Sequence, residues 1–332
     1  MAALLAAFTS CQKDDIVAED NIGVPMTLTV SIGDLTTRTA YSDAEGGLKV
    51  EWKAGDQVSV VSYNSNGNSG ILQSCDTFTA TGSGNSTTFT GTYTGSADAP
   101  LIRVVYPALT ETRSISDVTG WATPAVSGRY TQTPVFVMST STCYSRFNLS
   151  YMNQLTDNDP SHLKYYDSMT GTATLDGNSL SASLHKNISV FKVVINTSNI
   201  PAGTVMKYVR LSSNMGRCFG VAGWSYSTRD FNNENSGSFY PETSLFLGSN
   251  STGAGGETYV TGITKTDGDD ELVVYIPNIR MNSAGSYAIA AGNTFSVGIT
   301  VTSGKSYEKQ ITLTDDFIIE VGKVNTIKAT VK

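Results

Sequence analysis

The chain has 332 residues, enough for roughly two ordinary domains that each bury a core of their own. Its net charge of −7 and isoelectric point near 4.9 argue against nucleic-acid binding, which needs a basic face, and against electrostatic attachment to anionic lipid. Hydrophobic residues make up 39% and charged residues only 15%. Much of the remaining composition is Ser, Thr, Gly and Asn. This composition favours strands joined by turns over helices.

The first fifteen residues change from apolar to charged at Cys11. Residues 1–8 are typical of the end of a signal-peptide apolar region, and the missing basic segment before them indicates a truncated start. "FTSC" at 8–11 resembles a bacterial lipobox, and "QKDD" at 12–15 resembles the acidic export tag of surface lipoproteins. Cys11 is therefore the predicted lipidation site; a disordered terminus with a chance cysteine is the alternative. No apolar stretch reaches the roughly 20 residues of a membrane-spanning helix, so the predicted membrane link is a lipid anchor.

Alternation of apolar and polar residues predicts half-buried strands. In "MTLTVSI" at 26–32 the apolar residues fall on one side of an extended chain and the hydroxyl residues on the other, and "TFSVGITV" at 294–301 repeats the pattern. "ISVFKVVI" at 188–195 is apolar on both faces apart from Lys192, which is typical of a central strand in a sandwich. The apolar positions of the two alternating runs are Met26, Leu28, Val30 and Ile32, and Phe295, Val297, Ile299 and Val301.

Turn signals separate the predicted strands. Asn66-Gly67 follows "VSVVSY", Ser303-Gly304 lies between two alternating runs, and "TDGDDE" at 266–271 precedes "LVVYIP". No stretch sustains the 3.6-residue period of a helix for long. The predicted fold class is all-β, with two tandem β-sandwich domains.

Polar, turn-rich residues at 155–182 mark the predicted domain boundary. The chain then divides into a signal remnant and tether at 1–21, an N-terminal β-sandwich at 22–178 and a C-terminal β-sandwich at 179–332. A second polar tract at 229–256 is predicted to form surface loops of the later domain, where binding functions usually lie.

Candidate catalytic residues are few. Ser161 and Lys164 form an SxxK motif, as in serine acyl enzymes, but the SDN and KTG partners are absent, so a loop leading into a strand is the preferred interpretation. The two histidines, His162 and His185, lie apart in the sequence. His185 is predicted to be a packed, hydrogen-bonded core residue, because no carboxylate or nucleophile accompanies it. We predict no catalytic residue and no enzymatic activity.

The remaining cysteines are Cys75, Cys143 and Cys218, an odd number for an oxidising compartment. One disulfide with one buried thiol fits this number, and so do three buried thiols. None of the spacings matches a CxxC zinc site.

An acidic cluster follows the turn near residue 267. Clustered carboxylates could hold calcium, because hard cations prefer oxygen ligands. The cluster lacks the spacing of a twelve-residue calcium loop, so a solvated hairpin tip is preferred. Its members are Asp267, Asp269, Asp270 and Glu271. We predict no metal site and no cofactor.

Several segments, in their order and spacing, resemble the fimbrillin family of type V pilins and related fimbrial subunits. In the first half these segments are "TTRTAYSD" at 36–43, "LKVEWKAGDQVSVVS" at 48–62, "RVVYPA" at 103–108 and "GRYTQTPVFVMS" at 128–139. In the second half they are "SLHKNISVFKVVI" at 183–195, "VRLSS" at 209–213 and "FIIEVGKVNTIKATV" at 317–331. The resemblance covers most of residues 11–332.

This resemblance implies two transthyretin-like β-sandwiches in an outer-membrane lipoprotein of the cell surface. It also implies an arginine-specific protease that removes the first strand, so that a strand from a neighbouring fimbrial subunit enters the open groove. The implied cut lies between Arg38 and Thr39, in a polar loop, and the strand removed includes residues 26–35. "VNTIKATVK" at 324–332 is a candidate donor strand. Alternatively, Arg38 is an ordinary loop arginine of an unprocessed subunit such as an anchor.

Two classes of function remain open. The first is a structural subunit of a fimbria, at the shaft, tip or anchor, that supports adhesion and has other fimbrial subunits as partners. The second is a surface lipoprotein that binds glycans or other surface receptors, with Trp121, Trp224 and Tyr226 as candidates for stacking on sugar rings.

Overall fold

The computed structural model shows a chain built almost entirely of strands. It describes residues 23–32, 37–44, 47–64, 72–108, 112–113, 125–126, 129–130, 135–138, 143–147, 152–165, 167, 169–216, 218–222, 224–227, 234–235, 238–252, 258–279 and 286–332. Within these ranges no helix has the length and apolar character that crossing a membrane requires. The prediction of an all-β fold is confirmed.

Fifteen strands and one 3-10 helix, Pro160–Tyr165, form the first part of the chain as described. The strands are β1 (Val24–Ile32), β2 (Thr37–Ala44), β3 (Gly47–Val50), β4 (Gln57–Tyr63), β5 (Leu72–Ala80), β6 (Ser86–Tyr93), β7 (Leu101–Tyr106), β8 (Thr112–Arg113), β9 (Ala125–Val126), β10 (Arg129–Tyr130), β11 (Val135–Met138), β12 (Cys143–Phe147), β13 (Met152–Gln154), β14 (Met169–Asp176) and β15 (Ser179–Lys186). The helix lies between β13 and β14.

Sixteen strands follow in the described part of the chain. They are β16 (Ile188–Asn196), β17 (Val205–Ser213), β18 (Phe219–Ala222), β19 (Trp224–Ser227), β20 (Glu234–Asn235), β21 (Ser238–Tyr240), β22 (Glu242–Leu247), β23 (Asn250–Thr252), β24 (Thr258–Val260), β25 (Ile263–Thr264), β26 (Glu271–Ile279), β27 (Ser286–Ile289), β28 (Thr294–Val301), β29 (Ser306–Thr312), β30 (Phe317–Glu320) and β31 (Val324–Thr330). Short pairs such as β2–β3, β18–β21 and β27–β30 form two-stranded sheets of their own. Phe219 of β18, Ile289 of β27 and Ile319 of β30 are buried in the same core as β16, β17 and β28.

Seven strands close into a barrel in the order β1-β15-β14-β7-β4-β5-β6, with β6 paired back to β1. The barrel encloses a core of large apolar side chains. Trp52 is 1% exposed and its ring meets those of Phe89 and Tyr106 edge-on, at centroid distances of 5.1 and 5.2 Å. Alternating strands supply the rest of this interior, because every second residue of a half-buried strand points inward.

The second assembly is a sandwich of two sheets. One has the order β13-β22-β17-β28-β29, with β25 added to β17, and the other has the order β26-β16-β31. The side chains on their facing surfaces form one continuous core. Along each strand, successive residues point alternately into this core and away from it. Fully buried members of this core include Phe191, Val193 and Ile195 of β16, Val209 and Leu211 of β17, and Val297 and Ile299 of β28.

The chain leaves the barrel after Lys186, so β15 belongs to the barrel. The boundary predicted after residue 178 instead falls inside the β14–β15 hairpin, at a turn where Gly177 has φ 55°. β13, which precedes this hairpin, pairs with β22 in the sandwich. A polar turn marks a hairpin as readily as a domain boundary, and composition alone does not separate the two.

The strongest alternating runs form the strands predicted for them. Met26, Leu28 and Val30 are buried on β1, and Phe295, Val297, Ile299 and Val301 are buried on β28. β16 lies between β26 and β31 as a central strand. The structure also has turns where Ser303-Gly304 and "TDGDDE" predicted them. Gly304 has φ 82° and Gly268 has φ 75°. Asn66-Gly67 lies outside the described residues, as does Cys11.

Candidate functional site

β1 is the strand that closes the barrel. It runs antiparallel to β6, with Leu28 opposite Phe89, and parallel to β15, with Leu28 beside Leu180. The sequence predicted a half-buried strand here but gave no sign that both of its edges are paired. Because β1 is the first strand of the described residues and its partners lie far along the chain, the closure joins distant parts of the sequence.

The inward face of β1 is apolar and buried. Leu28 and Val30 are 0% exposed and Met26 is 7% exposed. Burying an aliphatic side chain of this size contributes about 1.5–3 kcal/mol. The three side chains pack into the core that also contains Phe89 and Leu180.

The outward face of β1 is made of exposed hydroxyl residues. Thr27, Thr29 and Ser31 are exposed, and the Thr27 hydroxyl oxygen lies 3.5 Å from that of Ser179. The strand is thus held by two main-chain ladders and by three alternate apolar side chains, features that do not require one unique sequence. A different strand with the same alternation and direction would satisfy the same groove.

Removing β1 would leave a groove between two unpaired strand edges. The floor would contain side chains that sequence reasoning did not assign to any site: Phe89 of β6 and Leu180, Ala182 and Leu184 of β15. The alternation of "STTFTGTY" and "SLSASLHK" could have identified both strands. It could not have shown that they flank β1, because pairing of distant strands leaves no mark in local sequence.

Arg38 and Thr39 lie in β2, not in the loop predicted for them. β2 pairs with β3, and its register is irregular between Thr37 and Ser42, so the Arg38–Thr39 bond falls within the irregular stretch. The loop was inferred from polar composition, yet threonine and tyrosine in this stretch also suit an extended strand. Residues 33–36, which join β1 to β2, lie outside the described ranges.

The candidate donor "VNTIKATVK" forms β31 of its own sandwich. β31 runs parallel to β16, and Ile327, Ala329 and Val331 are buried in the sandwich core. Withdrawing this strand would expose β16 and open that core. We therefore withdraw the interpretation of residues 324–332 as a free donor strand.

Side chains from the end of β13 and from the segment that follows it cover part of the outer edge of β26. The Gln154 amide nitrogen donates to the Val273 carbonyl at 2.8 Å, and the Gln154 amide oxygen accepts from the Tyr275 nitrogen at 2.9 Å. A carboxylate oxygen of Asp157 accepts from the Val273 nitrogen at 2.6 Å. At Val273 and Tyr275 these contacts take the hydrogen-bonding groups that a neighbouring strand would otherwise use.

His162 is a buried part of the same cover. Its Nε2 lies 2.7 Å from the carbonyl oxygen of Tyr275 and its Nδ1 lies 3.3 Å from that of Asp159. Ser161 is also engaged, because its hydroxyl donates to the Asp159 carboxylate at 2.8 Å. The SxxK pair thus lies on the 3-10 helix that Asp159 caps; the side chain of Lys164 is outside the described set.

His185 is exposed, contrary to the prediction of a packed core residue. It lies on β15 opposite Thr170, and the inward positions of that strand are Leu180, Ala182 and Leu184. Period-2 alternation therefore turns residue 185 outward. The prediction relied on the neighbouring central strand and overlooked the parity within "SLSASLHK".

Alanine substitutions should distinguish the buried, hydrogen-bonded His162 from the exposed His185. We expect His162→Ala to lower the free energy of unfolding by about 1–3 kcal/mol, because it leaves buried backbone carbonyls without their partner. His185→Ala, at an exposed position, should change it by no more than about 0.5 kcal/mol. Chemical denaturation of both variants measures this. Equal losses in the two variants would contradict the placement of His162.

The acidic cluster is arranged around a lysine. Lys265 is 5% exposed, and its Nζ donates to the carbonyls of Thr266 and Asp269 and, at 2.9 Å, to a carboxylate oxygen of Asp270. Of the four acidic side chains, the Asp270 carboxylate is thus engaged by the lysine. Among the described residues, no three or more His, Cys, Asp or Glu side chains come together as metal ligands.

The thiols of Cys75 and Cys218 are free. Burial raises the pKa of each to about 11, which makes the thiolate scarce at neutral pH. The side chain of Cys143 is outside the described set, so the disulfide alternatives are not decided by these two thiols. The same holds for the proposed sugar-stacking residues: Trp224 and Tyr226 lie in β19 with undescribed side chains, and Trp121 lies outside the described residues.

No protein-family model matches the chain, and the comparison with curated proteins gives no match. Among solved structures, a candidate cell adhesion protein from Bacteroides ovatus is 12% identical over 93% of this chain and 92% of its own, with a TM-score of 0.44. A fimbrial protein from Bacteroides vulgatus is 11% identical over 92% and 95%, with a TM-score of 0.40. The fimbrial anchor protein Mfa2 from Porphyromonas gingivalis is 13% identical over 88% and 83%, with a TM-score of 0.33. These similar structures are thus described as adhesion or fimbrial proteins, and none of the three as an enzyme.

Proposed function

We propose that the chain is a structural subunit of a cell-surface fimbria, at the shaft, tip or anchor, that supports adhesion and assembles by donor-strand exchange. In this proposal it reaches the outer membrane as a lipoprotein modified at Cys11 and is cut after Arg38. Its two assemblies are variants of the transthyretin-like sandwich, the first with its sheet closed by β1. The observation that supports the proposal is β1 itself, a strand that fills an apolar groove with three alternate side chains.

Loss of β1 would expose apolar side chains and strand edges, and binding another strand would recover the lost free energy. Leu28 and Val30 each account for about 1.5–3 kcal/mol of apolar burial. The edges of β6 and β15 would also lose their hydrogen-bond partners, and unpaired edges are the usual template for strand addition. A chain without β1 is therefore incomplete until a strand from a neighbour restores the barrel.

The groove specifies the strand that it accepts. An incoming segment must run antiparallel to β6 and parallel to β15, as β1 does. It must carry apolar residues at three alternate positions, matching Met26, Leu28 and Val30. Residues 324–332 are already paired with β16 in their own sandwich. The donor is therefore a segment that forms no strand in its own subunit.

Proteolysis would free β1 without removing it at once. A cut after Arg38 breaks the connection to β2, while the two ladders and the buried side chains still hold the strand. The strand then leaves by exchange with a competitor. Assembly is expected to be slow for the cleaved subunit alone and faster when partner subunits supply a donor.

The test is limited digestion with an arginine-specific protease. We expect a cut after Arg38, identified by mass, followed by ladders or filaments when partner subunits are added. Arg38→Lys is the matched control: it keeps the charge, resists an arginine-specific enzyme and should stay monomeric under the same conditions. Wild-type protein that is cut after Arg38 yet remains monomeric, alone and with partners, would overturn the assembly proposal.

A further inference from the structure

The chain crosses between sandwich and barrel twice within a short stretch. It leaves the sandwich after β13, passes the 3-10 helix and enters the barrel at β14. It returns from β15 directly into β16, with Asn187 as the single residue between the two strands. Asp167 lies on the first crossing and Lys186 on the second.

These two side chains meet in a dry site. Lys186 Nζ lies 2.9 Å from Asp167 Oδ1, and the side chains are 7% and 0% exposed. The second carboxylate oxygen, Oδ2, is buried and has no hydrogen-bond partner among the described residues. An ion pair in such a place pays a large desolvation cost, and here the carboxylate is only half satisfied.

We propose that Lys186 and Asp167 are joined by an intramolecular amide bond that forms once the fold has brought them together. The reaction converts one amine and one carboxylic acid into an amide and one molecule of water. It needs no oxidant, reductant or cofactor. The bond would tie the two crossings to each other at the point where barrel and sandwich meet.

Burial supplies the reactive forms. It lowers the pKa of Lys186, which favours the neutral amine. A proton passes from the ammonium to the carboxylate, and the Nζ lone pair then attacks Cγ. The bond between Cγ and the protonated oxygen breaks, and that oxygen leaves as water with one hydrogen of the amine. Cγ is bonded to Oδ1, which lies 2.9 Å from Nζ, so a small movement of the amine brings it to the separation of about 3–3.5 Å from which well-oriented groups react.

The surroundings hold the pair in place. Met169 of β14 is the register partner of both Lys186 on β15 and Tyr106 on β7, so β14 lies between the two strands that carry them. Burial and the Asp167 charge raise the pKa of Tyr106, which therefore keeps its proton. On the neighbouring positions, Thr170 donates to the Asn187 side chain at 3.0 Å and fixes the two strand ends.

A second lysine–aspartate pair provides an internal comparison. Lys265 Nζ lies at the same 2.9 Å from Asp270 Oδ1, but the Asp270 side chain is 56% exposed. Solvent reaches the Asp270 carboxylate there, so that pair lacks the burial of both partners on which the proposed reaction depends. Proximity is thus shared by both pairs, and only Lys186–Asp167 combines proximity with burial of both partners.

Peptide mapping of the full chain tests the proposal. After denaturation and tryptic digestion we expect a branched peptide that joins residues 167 and 186, lighter than its two linear components by one water. Trypsin should fail to cut after Lys186, because the amide removes the charge that it recognises. Lys265 should remain free in the same digest. Recovery of Lys186 with a free amine in essentially all molecules would overturn the proposal and leave a buried ion pair.

Two variants confirm the chemistry. Asp167→Asn should give the same branched peptide with ammonia as the leaving group, and Lys186→Arg should give only linear peptides. A branched peptide in Lys186→Arg would show that the link involves another residue and would contradict the assignment. If Lys186→Arg does not fold, the digest of the unmodified sequence decides alone.

Discussion

Replacing Leu28 by alanine is expected to lower the free energy of unfolding of the barrel by about 3 kcal/mol. Leu28 is 0% exposed at the centre of β1, and removing a buried leucine side chain costs about 2–5 kcal/mol through lost burial and the cavity left behind. Fluorescence of the buried Trp52 in chemical denaturation measures the transition. The same change should make β1 leave the groove more readily after cleavage at Arg38.

Thr29→Ala is the matched control on the same strand. Thr29 is exposed, so its truncation should change the free energy of unfolding by no more than about 0.5 kcal/mol. Equal effects of the two substitutions would contradict the inward placement of Leu28. They would also remove the physical basis for a groove that selects alternate apolar residues.

Replacing Gly171 by alanine is expected to destabilise the barrel by about 2 kcal/mol or more. A Cβ at this position of β14 would lie 2.3 Å from the backbone carbonyl oxygen of Ser183 and 2.7 Å from a methyl carbon of Leu184. Because the nearer atom is backbone, β15 must shift, and overpacking of this kind costs about 1–3 kcal/mol, occasionally more. The shift would also disturb the parallel ladder between β15 and β1.

Gly298→Ala is the control for the second prediction. Gly298 also lies inside a strand, but a Cβ there would find no atom closer than 3.8 Å. Its effect should stay within about 0.5 kcal/mol in the same denaturation experiment. If Gly171→Ala were as mild as Gly298→Ala, the close approach of β14 to β15 would be wrong.

The local features of the fold were predictable from the sequence. Alternation fixes which residues of β1 and β28 are buried, since a one-residue shift would turn every apolar side chain to the other face. The doubly apolar run at 188–195 identified a central strand for the same reason. Turn glycines such as Gly268 and Gly304 have positive φ, which glycine adopts without strain.

Long-range features were not predictable in the same way. The closure of the barrel depends on the parallel pairing of β1 with β15, two strands separated by most of the first half of the chain. The polar turn at Gly177 is a hairpin in the barrel, although its composition suits a boundary equally well. The cover of β26 by Gln154 and Asp157 also depends on contacts between distant residues.

The candidate site was only half predictable. The sequence identified the strand that fills the groove, through Met26, Leu28 and Val30, but not Phe89 and Leu180 on its floor. It placed Arg38 in a loop, whereas the structure places it in an irregular part of β2. Polar composition reports solvent exposure, and it does not distinguish a loop from a paired strand at the surface.

The most direct test of strand exchange is binding of a labelled peptide with the sequence of residues 23–36 to the chain cleaved after Arg38. We expect the peptide to replace β1, to a limit of one peptide per chain, and to stay bound through size-exclusion chromatography. The same peptide carrying Leu28→Asp should not be retained, because the groove would have to bury a carboxylate. Retention of neither peptide, or of both equally, would contradict the claim that β1 occupies an exchangeable apolar groove.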